Sequence, residues 1–182
     1  MNYQQDSQKL VLVGEQGSGK TSLLKDLISA FRIIGLEVAG LLSLGIFEGG
    51  KKIAIEVVDL NSDESQILAK LTGDIYTGLR YGDWAFDRGT INWANWRLEA
   101  ISHTDVFILD EIGPLELEKN AGFMEGLTIM SQEAYQLGII TARPKCIELL
   151  VARFPDLQIV HLADWDKNKL KAHILSLTQR IK

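Results

Sequence analysis

Gly14-Glu15-Gln16-Gly17-Ser18-Gly19-Lys20-Thr21 carries the spacing G-x-x-x-x-G-K-[ST], and every fixed position in it suits a phosphate chain. Gly14, Gly17 and Gly19 can adopt backbone angles closed to residues with a Cβ, so successive N–H groups can turn inward around an anion. The helix expected from Thr21 onward points its positive end at the same place. Lys20 has the reach for β- and γ-phosphates, and the Thr21 hydroxyl suits Mg²⁺. The expected nucleotide contacts are therefore Gly14, Glu15, Gln16, Gly17, Ser18, Gly19, Lys20, Thr21 and Ser22. The bland alternative is a tight glycine-rich turn with an exposed lysine, which the flanking strand and helix patterns disfavour.

A second group lies at Asp105-Val106-Phe107-Ile108-Leu109-Asp110-Glu111. An apolar strand that ends in a carboxylate, downstream of a phosphate loop, supplies the acidic partner of Mg²⁺, and Asp110 is placed for that task. Glu111 follows at the strand end, where a carboxylate can orient or deprotonate a water in line with a γ-phosphate. The tandem pair favours hydrolysis. Phosphoryl transfer also needs a cation against developing charge, and the candidates are Arg80, Arg88, Arg97 and Arg143. Arg143 is the first choice, because it follows an expected strand at Ile139-Ile140-Thr141 whose carboxyl end should face the nucleotide crevice.

These groups need elements to hold them. Lys9 to Val13 reads as a buried strand and Thr21 to Ile28 as a helix. Leu36 to Leu44 and Lys52 to Asp59 read as an antiparallel hairpin turning at Gly49-Gly50. Asn61-Ser62-Asp63-Glu64 has the spacing of a helix cap, which predicts a short helix through Leu71. Residues 72–90, with Gly73, Tyr76, Gly78, Arg80 and Arg88, are the least regular stretch and suit a lid. A helix from Ile91 to His103, the strand ending at Asp110, and further alternating elements follow, with a strand over Leu157 to Leu162 and a closing amphipathic helix. That alternation predicts an α/β fold, with a largely parallel sheet covered by helices on both faces.

The 182 residues suit one domain over 1–182, opening with a polar tail at 1–8. A net charge of −5 with scattered basic residues disfavours a nucleic-acid partner. No run of eighteen apolar residues appears, so neither a leader nor a membrane partner is expected and the default compartment is the cytoplasm. Cys146 is the lone cysteine and excludes an internal disulfide. Trp93 and Trp96, three apart on a helix, read as core, and the three histidines form no local metal motif.

The phosphate loop, together with Asp110-Glu111-Ile112-Gly113-Pro114-Leu115-Glu116-Leu117 and Phe123, resembles the small nucleoside-triphosphatase family of P-loop proteins, where D-E-x-G-x-[ML]-E-[LF] follows the central strand. Gly40-Leu41-Leu42-Ser43 and the strand from Ile53 to Asp59 extend the likeness. The resemblance implies a RecA-like P-loop NTPase sheet, Mg²⁺ dependence, and conversion of ATP, GTP or other nucleoside triphosphates to diphosphate and phosphate. On it, Gly14 to Thr21 would hold the phosphates, Asp110 the metal and Glu111 the water. Glu116 would support the loop or the groups around the metal; the alternative is a first-turn carboxylate favoured by a helix dipole.

Two departures stand out. Many members carry Glu where this chain has Gly45, and many carry Asn-Arg before the last helix, near the base, where this chain has Ala163-Asp164-Trp165-Asp166-Lys167-Asn168. Trp165 is there either a platform for a base or ordinary packing at a helix start. Two other activities share the phosphate loop: a kinase with a small acceptor, and a nucleotide-dependent binding switch. A guanine-specific switch is disfavoured, since Asn168-Lys169-Leu170-Lys171 ends in a residue that cannot accept a hydrogen bond.

Overall fold

The computed structural model describes residues 7–71 and 78–178; residues 1–6 of the polar tail and 72–77 of the lid stretch lie outside the described residues. Its elements in chain order begin with β1 (Gln8–Val13), α1 (Lys20–Ile33), β2 (Val38–Glu48), β3 (Lys51–Asp59), β4 (Ser65–Leu71), β5 (Leu79–Tyr81), β6 (Trp84–Phe86) and α2 (Arg88–Glu99). They continue with β7 (Thr104–Ile112), α3 (Pro114–Leu117), α4 (Met124–Gln132), β8 (Tyr135–Ala142), α5 (Ile147–Arg153), β9 (Gln158–His161) and α6 (Lys167–Leu177).

The layering follows from side-chain alternation along the apolar strands. Val11 and Val13 on β1, and Phe107 and Leu109 on β7, pack in one cluster with Ala94 and Leu98 of α2 and Leu127 of α4. Leu10 and Leu12, with Val106 and Ile108, pack on the opposite side against Leu27 and Phe31 of α1 and Leu170 and Ile174 of α6. Strands that are apolar on both faces must be covered on both faces, and these are.

All described strands join one sheet in the order β5-β6-β4-β3-β2-β7-β8-β1-β9. From β2 to β9 the pairings are parallel, and from β2 back to β5 they are antiparallel. The expected hairpin is β2–β3, and it extends into a meander. The carboxyl ends of β1, β7 and β8 share one edge, the place where open α/β sheets bind ligands.

One expected element changes type. The short helix predicted through Leu71 is instead β4, hydrogen-bonded to β3 on one side and β6 on the other. The polar run before it closes a turn rather than capping a helix: Asp59 Oδ1 accepts the Asn61 N–H at 3.0 Å, Ser62 Oγ donates to Asp59 Oδ2 at 2.8 Å, and Asp63 sits at φ 57°. Turn and cap chemistry use the same residue types. The next helix starts earlier than expected, at Arg88, because the Asp87 side chain accepts the Thr90 N–H at 2.7 Å. The tail also ends earlier, since Gln8 already belongs to β1. Trp93 packs against the core, but Trp96 is 61% exposed with Arg97 lying over its ring, so the expectation of core fails there. Positions three apart diverge by about 60° around a helix, and the edge of the buried stripe falls between them.

Gly40 sets how closely β2 approaches β7. Its φ is 114°, and an added Cβ would lie 2.0 Å from the Ile108 carbonyl oxygen. Gly40→Ala is expected to destabilise the fold by about 3 kcal/mol or more, read as a lowered urea unfolding midpoint; a midpoint unchanged from the parent would show that the strands can separate at no cost.

Candidate active site

Four elements converge on one carboxylate. Asp110 on β7 has no exposed surface. Its Oδ1 accepts the Thr141 hydroxyl from β8 at 2.5 Å, and its Oδ2 accepts the Thr21 hydroxyl from α1 at 3.1 Å and the Ser43 N–H from β2 at 3.2 Å. Burial pushes its pKa up to about 6; the Thr141 hydroxyl opposes that rise, the Glu111 charge adds to it, and the Thr21 and Ser43 bonds oppose it.

Between β1 and α1 the phosphate loop is wound as its glycines require. Gly17 and Gly19 have φ of 78° and 91°, and Gly14 faces Ser18 so closely that an added Cβ would lie 2.4 Å from its hydroxyl. The Gly14 N–H donates to the Ala142 carbonyl at 3.2 Å, tying the loop to the end of β8. Lys20 is buried and donates to the Gly14 and Glu15 carbonyls at 2.6 and 2.9 Å. Burial draws its pKa down, against the pull of Glu111 and Asp110.

Glu111 is aimed by a bulge. Leu109 pairs with Ile140 and Ile112 with Ala142, so Asp110 and Glu111 together oppose Thr141 alone. Glu111 takes φ 65°, a left-handed conformation that costs a non-glycine residue about 1–2 kcal/mol. Its N–H donates to the Thr141 hydroxyl oxygen at 2.8 Å. The carboxylate stands between Lys52 Nζ and Arg143 Nη2, each 3.7 Å away. Such an acid can accept a proton while two cations fix its direction.

Of the candidate arginines, Arg143 meets Glu111. Arg97 is committed to Asp59 at 2.6 Å and to Glu64 at 3.6 Å, so it does not serve the site. Arg80 on β5 and Arg88 at the start of α2 are exposed. Glu116 is buried and accepts the Gly113 and Phe123 N–H groups at 3.1 and 3.2 Å, which staples the loop that follows β7. Burial raises its pKa to about 7 against those bonds. Gly45 lies beside Lys52: an added Cβ would be 3.1 Å from Lys52 Cε. Trp165 stacks on His173 at 5.1 Å and also lines a cavity of about 190 Å³ with Ser18, Ser22, Leu23 and Leu170. The Asn168 and Lys169 N–H groups are taken by the Asp166 cap of α6.

A family model described as NTPase matches residues 9–175. The chain belongs to the NTPase family. Nucleoside-triphosphatase THEP1 of Methanopyrus kandleri is 34% identical over 113 residues, covering 62% of this chain and 61% of that relative. The protein of the same name from Thermococcus kodakarensis is 23% identical over 170 residues, 92% of this chain and 91% of that one. The chain thus spans about three fifths of the length of the first curated relatives it matches. In fold it is similar to a human cancer-related nucleoside triphosphatase solved in solution, with TM-score 0.72 and 21% identity over 97% of this chain and 100% of that one. It is also similar to the crystal structure of THEP1 from Aquifex aeolicus, with TM-score 0.66 and 19% identity over 94% and 99%. Among the described residues no helix is long and apolar enough to cross a membrane.

Three contributors to this NTPase-family site escape a reading of the sequence. Thr141 carries a signal of sorts, a polar residue at an apolar strand's end two before Arg143. Ser43 acts through its N–H, and Lys52 comes from the hairpin; neither has a signal without the strand register.

Thr141 uses one hydroxyl to donate to Asp110 and to accept from Glu111. Thr141→Val is expected to lose about 2–3 kcal/mol of unfolding free energy and Thr141→Ser about 1 kcal/mol or less, measured by urea denaturation; equal losses would mean that packing, not the hydroxyl, matters there. For Glu116, the folded pKa lies above the ordinary 4.5. The folded state then holds a proton that the unfolded chain has lost, and stability falls as pH rises from about 4.5 to about 7. Glu116→Gln should remove up to about 3 kcal/mol of that decline, seen by comparing urea unfolding of parent and variant at pH 5 and pH 8; parallel pH profiles would contradict it.

Proposed function

We propose that this chain is one catalytic domain that hydrolyses nucleoside triphosphates to the diphosphate and phosphate with the help of Mg²⁺. The observation that carries this reading is the Glu111 carboxylate, aimed by the β7 bulge and set between Lys52 and Arg143, one residue beyond Asp110. The relatives named nucleoside-triphosphatase support it at the level of the family.

The Gly14–Thr21 loop binds the β- and γ-phosphates through its backbone N–H groups, apart from those of Gly14 and Ser18, which are held by the Ala142 and Glu15 carbonyls, and Lys20 adds its charge. The donor set beside them is all oxygen: the Thr21 hydroxyl lies 3.1 Å from Asp110 Oδ2. These two residues would hold Mg²⁺, a hard cation served by one or two carboxylates plus phosphate oxygens. When bound, the ion neutralises charge that builds between the β- and γ-phosphates.

Glu111 orients the attacking water and takes its proton as the oxygen–phosphorus bond forms. Lys52 and Arg143 keep that carboxylate pointed, and Arg143 offsets charge on the transferring group. The cavity beside Trp165 receives the base; its apolar residues Leu23, Leu162 and Leu170 discriminate weakly among bases, which suits tolerance of ATP, GTP and other nucleotides. We infer the cytoplasm as its compartment, supported by a single, free and buried cysteine.

Phosphorus NMR of Mg-ATP with the full chain, with no acceptor added, tests the reading. Free phosphate and ADP are expected with the parent. Glu111→Gln should bind ATP within about threefold of the parent yet release phosphate about 100-fold more slowly, the usual worth of a positioned base. Lys20→Ala should lose both binding and turnover. Full activity in Glu111→Gln would take that residue out of the mechanism.

A further inference from the structure

A cavity of about 340 Å³ opens where Gln16 of the phosphate loop meets Glu111 and Arg143, and its walls include Leu68, Trp84 and Phe123. A water needs about 30 Å³. The space next to Glu111 is therefore about ten times the volume of one water, and it lies in the size range of small-molecule sites, about 300–1,000 Å³.

The cavity is also built. The β2–β3 register skips Ile53, the β3–β4 register skips Leu68, and β7 carries the extra residue at Asp110-Glu111. Each irregularity turns a side chain toward this one space. The skip at Ile53 brings Lys52 to the face of Ile55, the skip at Leu68 lets it share a face with Ala69, and the third aims Glu111. Lys52 Nζ lies 5.6 Å from the Trp84 ring centroid, holding that ring as a wall.

We propose that this cavity is a phosphoryl-acceptor site for a small alcohol carried on a flat aromatic ring, and that the chain transfers the γ-phosphoryl group to that hydroxyl. The inference rests on the nucleotide reading above for the donor. The ring packs among Trp84, Leu68 and Phe123, and its hydroxyl is at the mouth, beside Glu111. The hydroxyl oxygen bonds to the γ-phosphorus as the bond from that phosphorus to the β–γ bridging oxygen breaks. The bridging oxygen leaves with its electron pair on the nucleoside diphosphate, and the hydroxyl proton passes to Glu111.

Phosphorus NMR of the full chain with Mg-ATP, alone and with adenosine, thymidine or pyridoxine at millimolar concentration, tests this. Each probe joins a flat ring to a primary alcohol. A phosphomonoester signal that grows in step with ADP, with at least one probe, is the expected result. Trp84→Ala should then raise the KM for that probe at least tenfold, while Trp96→Ala, on the exposed face of α2, stays within twofold. Phosphate release without any ester overturns the acceptor site and leaves hydrolysis standing. Ester with no phosphate released in the absence of a probe overturns the hydrolase reading and supports the acceptor. Ester formation that Trp84→Ala leaves unchanged places the acceptor elsewhere and overturns the proposal.

Discussion

A single buried carboxylate organises this molecule. Asp110 sits on an interior strand and draws donors from α1, β2 and β8, so the phosphate-loop helix, the start of the antiparallel wing and the neighbouring parallel strand all close on one group. A charge so placed is tolerated only because those bonds answer its lone pairs. The constraint runs outward. Thr141 must lie between β1 and β7, which the order β7-β8-β1 ensures. The β2 backbone must come close, and it does so over Gly40.

The same convergence explains how two adjacent acids take different surroundings. In a regular strand Asp110 and Glu111 would point to opposite faces. The bulge opposite Thr141 breaks that alternation, leaving Asp110 in the interior while Glu111 reaches the cleft between Lys52 and Arg143. One carboxylate is enclosed by hydroxyls and an N–H; the other is partly open and flanked by cations. An enclosed oxygen donor beside an open acid is the arrangement on which the proposed metal-assisted phosphoryl chemistry rests.

What the sequence made legible was the part written in contiguous residues. A strand, a glycine-rich turn and a helix occupy one stretch from Gln8 to Ile33, so the phosphate loop and its setting could be read together. Arg143 was legible for the same reason, standing just past an apolar strand. The misreading of Ser65 to Leu71 came from residues that serve equally as caps and turns; only pairing with β3 and β6 decides between them. Ser43 and Lys52 depend on which residue faces which across a ladder, and Trp96 depends on where a buried stripe ends. Those are long-range facts, and no local window contains them.

The skipped residues in the sheet also bear on how such a chain tolerates change. The sides of a strand alternate with each residue, so Ile53 and Leu68 act as phase markers, each shifting the count by one. A substitution at either leaves the phase intact. Drawing one of them into the ladder would exchange inside for outside along the strand up to the next turn, so that with Ile53 paired Lys51 rather than Lys52 would look toward Glu111. The wing is in this respect read like a frame: its spelling can drift, but which residues stay out of the ladder cannot.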